Sequence, residues 1–215
     1  MSEASTIEQS LAQAPVVPVL TLDDITSVAP LGASLARGGL RVVEVTLRTQ
    51  SALACLQALS EAAPELIVGA GTVLSQADVT AALEHGARFL VTPGTTPALE
   101  AALAESGALA IPGVATASEA LARLERGFRL QKLFPAEAVG GVRLLRSLAG
   151  PLPSLRFMPT GGIGPSNAPD YLALPNVAAI GGSWIAEPRA IAAGDWSGIE
   201  SRAREAVALR TAGTP

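Results

Sequence analysis

The run Leu40-Arg41-Val42-Val43-Glu44-Val45-Thr46, the stretch Ser51 to Ala62 and the run Leu66-Ile67-Val68-Gly69-Ala70 read together as strand, helix and strand. The outer two are short, apolar and rich in β-branched residues, and the middle stretch carries its apolar residues at helical spacing. The same unit recurs along the chain roughly every 20–25 residues. Further strand-like runs are Val16 to Leu20, Ala87 to Thr92, Leu109 to Pro112, Leu130 to Phe134, Leu155 to Pro159 and Val177 to Gly181, eight in all. Helical stretches lie between most of them, at Ser75 to His85, Pro97 to Glu105, Ala117 to Arg126 and Gly141 to Leu148. Ser118 is a candidate helix start and Gly127 its end, and Thr72 reads as a helix N-cap. Most strands are continuous apolar runs, which suits a parallel sheet covered on both faces. Eight βα units point to an α/β fold, a single (β/α)8 TIM barrel occupying residues 1–215. The unit after Pro159 is the weakest, being short of helix. Thr6 to Gln13 predicts a small N-terminal helix, and the residues after Asp195 a final helix with a frayed tail.

The bulk composition supports a packed, enzyme-sized domain. Of 215 residues, 49% are hydrophobic and 16% charged, so the chain can bury a large core and leave apolar surface for subunit contacts. The net charge of −4 gives no basic patch for nucleic acid. No signal segment and no membrane-spanning run is evident, so a cytoplasmic protein is the simple expectation. The lone Cys55 reads as a small buried hydrophobe. His85, the only histidine, reads as a helix C-terminal residue. Without a cluster of His or carboxylates a metal-free mechanism is expected.

In such a barrel the working residues lie where strands end and βα loops begin. The chain has one lysine, Lys132, against fourteen arginines, and it sits in the strand-like run Leu130-Gln131-Lys132-Leu133-Phe134. Arginine stays protonated, whereas a lysine moved out of water can lose its proton and form a Schiff base. Strand alternation places Leu130, Lys132 and Phe134 on one face. The alternative is an outward lysine, or one in a structural ion pair. Glu44, between Val43 and Val45, reads either as a general acid/base beside Lys132 or as a salt-bridge partner of Arg41 or Arg48. Arg48 can hold a carboxylate in a forked pair, or it is a solvated loop arginine. The pairs Gly161-Gly162 and Gly181-Gly182, with Ser183, fall after the seventh and eighth strands, where barrels often bind phosphate; each alone would read as a tight turn.

Several ordered motifs carry a resemblance. Val16-Val17-Pro18-Val19, Glu44-Val45-Thr46-Leu47-Arg48-Thr49, Gly69-Ala70-Gly71-Thr72-Val73-Leu74, Lys132-Leu133-Phe134-Pro135-Ala136-Glu137, Pro159-Thr160-Gly161-Gly162-Ile163 and Ile180-Gly181-Gly182-Ser183-Trp184 closely resemble 2-keto-3-deoxy-6-phosphogluconate (KDPG) aldolases. The likeness runs from about Val16 to Val207. It implies a class I aldolase on a (β/α)8 barrel, usually trimeric, in the Entner–Doudoroff pathway. Such an enzyme cleaves the phosphorylated keto acid to pyruvate and glyceraldehyde 3-phosphate, often acts on 4-hydroxy-2-oxoglutarate too, and uses no cofactor. By the same resemblance Lys132 is the Schiff-base lysine and Glu44 the proton-transferring residue. Arg48 and Thr72 match the positions that bind the pyruvate carboxylate, and Pro93 and Phe134 match pocket walls. Thr160, Gly161, Gly162, Gly181 and Ser183 match the phosphate side. Two other readings stay open on the residues alone: a sugar-phosphate epimerase or isomerase, and a non-catalytic phosphate-ligand-binding barrel.

Overall fold

Strands with Val, Ile and Leu on both faces need cover on both sides, and here they obtain it as a parallel array wrapped by helices. The structure, a computed structural model, describes residues 3–13 and 15–209. The expected tail beyond the last helix lies outside the described residues. The strands are β1 (Val16–Leu20), β2 (Val42–Thr46), β3 (Ile67–Gly71), β4 (Phe89–Val91), β5 (Leu109–Ile111), β6 (Gly113–Val114), β7 (Leu130–Leu133), β8 (Arg156–Phe157) and β9 (Ile180–Gly182). The helices are α1 (Glu3–Gln13), α2 (Val28–Arg37), α3 (Ala52–Ala62), α4 (Gln76–Glu84), α5 (Pro97–Glu105), α6 (Ala117–Glu125), α7 (Gly141–Ala149), α8 (Ala168–Leu172), α9 (Pro188–Ala192) and α10 (Trp196–Ala208).

Every strand pairing is parallel. They form a curled six-stranded sheet in the order β5-β4-β3-β2-β1-β9 and a three-stranded sheet in the order β6-β7-β8. The fifth apolar run ends at Pro112, and there the chain passes from the first sheet to the second. Proline has no N–H to donate to a ladder. Its carbonyl still accepts from the Lys132 N–H at 2.9 Å, so the chain leaves β4 and continues alongside β7. Between β8 and β9 the contact is reduced to the parallel bridges Phe157–Val177 and Thr160–Gly181.

Two expected helix starts shift. Thr116, not Ser118, caps α6, in a reciprocal capping box with Glu119, and Gly127 follows the helix end at φ 92°. Thr72 caps nothing: Ser75 accepts from the Asp78 N–H and starts α4. The weak unit after Pro159 contains only the five residues of α8.

Alternation along the strands sorts the core into two layers. Val43, Val45, Val68, Ala70 and Leu133 face outward, into a cluster with the surrounding helices. Cys55 is buried in that outer layer. Val17, Val42, Phe89, Val91, Ile111, Leu130 and Met158 face inward, and Ile7 and Leu11 of α1 join them. The contacts of α1 with residues at the first positions of β2, β4 and β7 place the helix across the N-terminal ends of the strands. Glu44 and Lys132 lie one alternation step beyond Val42 and Leu130, further towards the C-terminal ends. No helix among the described residues is long and apolar enough to cross a membrane.

Candidate active site

The inner face of β7 brings Lys132 to Glu44 of β2. Lys132 Nζ donates to Glu44 Oε1 at 3.2 Å, with the residues 3% and 0% exposed. Charged groups this buried are scarce unless paired, and the pairing settles Glu44's partner as Lys132 rather than Arg41 or Arg48. Glu44 Oε2 is also buried and has no hydrogen-bond partner among the described residues. An orphaned carboxylate oxygen beside a lysine is costly in a folded protein and leaves an acceptor open to a proton or a hydroxyl. The Lys132 ammonium lies 5.4 Å from the centroid of the Phe134 ring. Gln131, on the opposite face, bonds the Ala120 and Phe128 carbonyls, as the alternation requires.

Space for the Glu44 carboxylate comes from β3. A Cβ on Gly71 would fall 2.0 Å from Glu44 Oε1 and 2.5 Å from its Cδ. Gly69, two residues earlier on the same face, leaves room for the Phe89 ring, which its Cβ would meet at 2.3 Å. Gly71→Ala is therefore expected to push the carboxylate off Lys132. The expected cost is about 1–3 kcal/mol of stability, read by chemical denaturation. Turnover should fall about a hundredfold, the usual penalty of an ångström-scale misplacement. Wild-type turnover in Gly71→Ala would show that Glu44's position is not critical.

Arg48 and Thr72 meet where the loops after β2 and β3 run side by side. Arg48 Nε donates to Thr72 Oγ1 at 3.1 Å, and the Leu47 N–H bonds the Gly71 carbonyl at 2.8 Å. Thr72 is the one non-glycine residue with positive φ among those described, at 59°. A β-branched residue there costs about 1–2 kcal/mol, so the surroundings hold it in place. Arg48 is exposed and Thr72 half-buried, which leaves both able to meet a ligand. Pro93 reaches the site through Gly113, whose Cβ would strike the Pro93 carbonyl carbon at 2.3 Å and which pairs with Lys132 across β6 and β7.

The late glycines divide by role. Gly161 and Gly162 have φ of 102° and 78°, and their N–H groups donate to no acceptor among the described residues. These free amides suit an anion. Gly181 differs, because its N–H is taken by the Pro159 carbonyl at 2.9 Å. Its use is space: a Cβ would lie 2.2 Å from Thr160 Oγ1. Ser183 is exposed and makes no side-chain hydrogen bond to the other candidates.

Some supporting groups escaped sequence reading. Thr92 Oγ1 accepts from the Gly113 N–H at 2.9 Å and lies 2.9 Å from Thr95 Oγ1, bracing the loop that holds Pro93. A Thr after an apolar strand is a common sight, so no signal marked it. A cavity of about 650 Å³ opens near the end of β1 among Asp23, Asp24, Arg189 and Trp196, but it includes neither Lys132 nor Glu44. The buried amine and carboxylate therefore lie apart from this hollow. Among the described residues no group of three or more His, Cys, Asp or Glu side chains could hold a metal ion. His85 caps the end of α4.

A family model described as KDPG and KHG aldolase matches residues 7–202. The chain belongs to the KDPG and KHG aldolase family. Within that family the KHG/KDPG aldolase of Escherichia coli (strain K12) is 46% identical over 200 residues, 93% of this chain and 94% of that protein. The KDPG aldolase of Legionella pneumophila, solved with pyruvate captured at low pH as a covalent carbinolamine intermediate, is 39% identical. The match covers 95% of this chain and 97% of that one, with a TM-score of 0.89. The Zymomonas mobilis ZM4 aldolase, solved with 3-phosphoglycerate, is also 39% identical, covering 97% and 98% with a TM-score of 0.88.

Proposed function

We propose that this chain is a class I aldolase that reversibly cleaves 2-keto-3-deoxy-6-phosphogluconate to pyruvate and D-glyceraldehyde 3-phosphate, and also acts on 4-hydroxy-2-oxoglutarate. The observation that carries the reading is the buried contact between Lys132 Nζ and Glu44 Oε1 at 3.2 Å. Glu44 takes the ammonium proton and frees the amine. Nζ adds to the C2 ketone to give a carbinolamine. Glu44 returns the proton to the departing hydroxyl, water leaves, and a protonated imine forms. Glu44, again a carboxylate, takes the C4 hydroxyl proton directly or through a water. The C3–C4 bond breaks, its electrons flow to the imine nitrogen, and the aldehyde departs. The proton then passes from Glu44 to C3 of the enamine, and hydrolysis releases pyruvate. Arg48 and Thr72 hold the keto acid's carboxylate. Pro93 and Phe134 wall the pocket. The loop of Thr160, Gly161 and Gly162 receives the phosphate, with Ser183 adding a hydroxyl and Gly181 making room for Thr160. Fixing both ends of the substrate aligns the breaking bond.

The two parallel bridges between β8 and the β9 region, and the chain that continues through Pro112, support closure of the sheets into one (β/α)8 barrel over residues 1–215. The family resemblance supports a homotrimer in the cytoplasm.

Borohydride reduction in the presence of pyruvate tests the imine. Intact mass should show one adduct, mapping to Lys132. Unchanged mass with surviving activity would remove the Schiff base, and turnover of a sugar phosphate without an adduct would favour an isomerase.

A further inference from the structure

The segment that carries Lys132 runs on through Phe134, Pro135 and Ala136 to Glu137, and that stretch forms the bed of the glycine loop. The Ala136 N–H bonds the Thr160 carbonyl at 2.8 Å, and the Glu137 N–H bonds the Gly161 carbonyl at 3.1 Å. The Glu137 side chain occupies the space over Gly162, where a Cβ would lie 2.6 Å from its Cγ. What keeps Glu137 there is Tyr171 of α8, the helix that follows the glycine loop: its hydroxyl donates to Glu137 Oε1. Tyr171 is fully buried, and burial together with the adjoining carboxylate pushes its phenol up, so it remains a donor across the working pH range. Asn167 completes the tie, donating to the Gly162 carbonyl at 3.1 Å and accepting from the Gly164 N–H at 2.8 Å. Gly141, at the start of α7, leaves the pair its room: a Cβ would lie 2.6 Å from the Tyr171 hydroxyl and 2.9 Å from Glu137 Oε1.

We propose that Glu137 and Tyr171 are positioning residues, a clasp that sets the Gly161–Gly162 amides relative to Lys132 and so selects aldehydes that carry a phosphate. The inference rests on the aldolase reading. A phosphate bound by backbone N–H groups is held only as well as the backbone is, and the bond from the buried phenol to the exposed Glu137 carboxylate ties the loop both to the lysine strand and to the helix beyond it. Neither side chain bonds Lys132 or Glu44, so the clasp acts through the loop's position.

The test is condensation of pyruvate with D-glyceraldehyde 3-phosphate against condensation with D-glyceraldehyde, on the full chain. Tyr171→Phe should raise KM for the phosphorylated aldehyde about tenfold. Its kcat/KM for the unphosphorylated aldehyde and its borohydride trapping with pyruvate should stay within about twofold of wild type, inside the spread of a neutral change. Glu137→Ala should behave like Tyr171→Phe. Glu137→Gln, whose amide oxygen still accepts from the phenol, should retain the wild-type preference; this pair decides the matter if Tyr171→Phe does not fold. Equal losses with both aldehydes, or no change in KM, would overturn the clasp while leaving the aldolase reading intact. A wild-type protein that neither condenses pyruvate with aldehydes nor forms the adduct would overturn the aldolase reading itself.

Discussion

Lys132→Arg is expected to abolish both pyruvate trapping and cleavage of the phosphorylated keto acid, with kcat/KM falling at least about 10⁴-fold. Arginine keeps the positive charge beside Glu44 but has no amine able to add to a carbonyl. The chain has no other lysine, so no neighbouring side chain can supply a substitute primary amine. Lys132→Met should be equally inactive and less stable as well. It leaves Glu44 fully buried opposite a thioether, and stranding one member of a buried pair costs about 3–5 kcal/mol. The double variant Lys132→Met/Glu44→Gln should recover much of that stability in a denaturation curve while staying inactive. That outcome separates loss of chemistry from loss of fold. Residual cleavage above a hundredth of wild type in Lys132→Arg would end the case for the imine.

Glu44→Gln should divide the reaction differently. Gln presents an oxygen to Lys132 Nζ but cannot carry a proton between the ammonium, the C4 hydroxyl and C3. The pyruvate imine should therefore still form, while kcat falls about 10²–10⁴-fold, the range for loss of a general acid/base. KM should hold within a few fold because the carboxylate and phosphate contacts are untouched. Rapid-quench trapping with borohydride would show the imine accumulating ahead of cleavage. Near-normal kcat would remove Glu44 from proton transfer and leave it as a counter-ion only.

What could be read before folding was whatever depends on local period. Val42 and Glu44 inward with Val43 and Val45 outward, and Lys132 inward with Gln131 outward, follow from a two-residue repeat. The start of α6 was readable as well: Thr116 stands three residues before Glu119, the spacing of a capping box, whereas Ser118 has no such partner. Other features had no local mark. Pro112 ends an apolar run, and only the partners on either side show that the chain changes sheet there. The left-handed backbone of Thr72 goes against its own β-branching and is held by contacts with a neighbouring loop. Glu137 and Tyr171 are 34 positions apart, and nothing in either segment announces the other.

The buried face of the helix at the foot of the sheet has an electrical consequence. Ile7 and Leu11 close over Val42, Phe89, Leu130 and Met158, so the medium behind the lysine and the glutamate is hydrocarbon. In a medium of low permittivity the field between two charges is barely screened, and moving one proton between them changes the local potential far more than it would in water. With insulation below, the solvent's dielectric response reaches the pair from the C-terminal ends of the strands, the side proposed to admit the keto acid. When the substrate displaces that water, screening falls on the last open side as well. A helix that bonds neither member of the pair thus helps to set the permittivity around the proposed site of carbon–carbon cleavage.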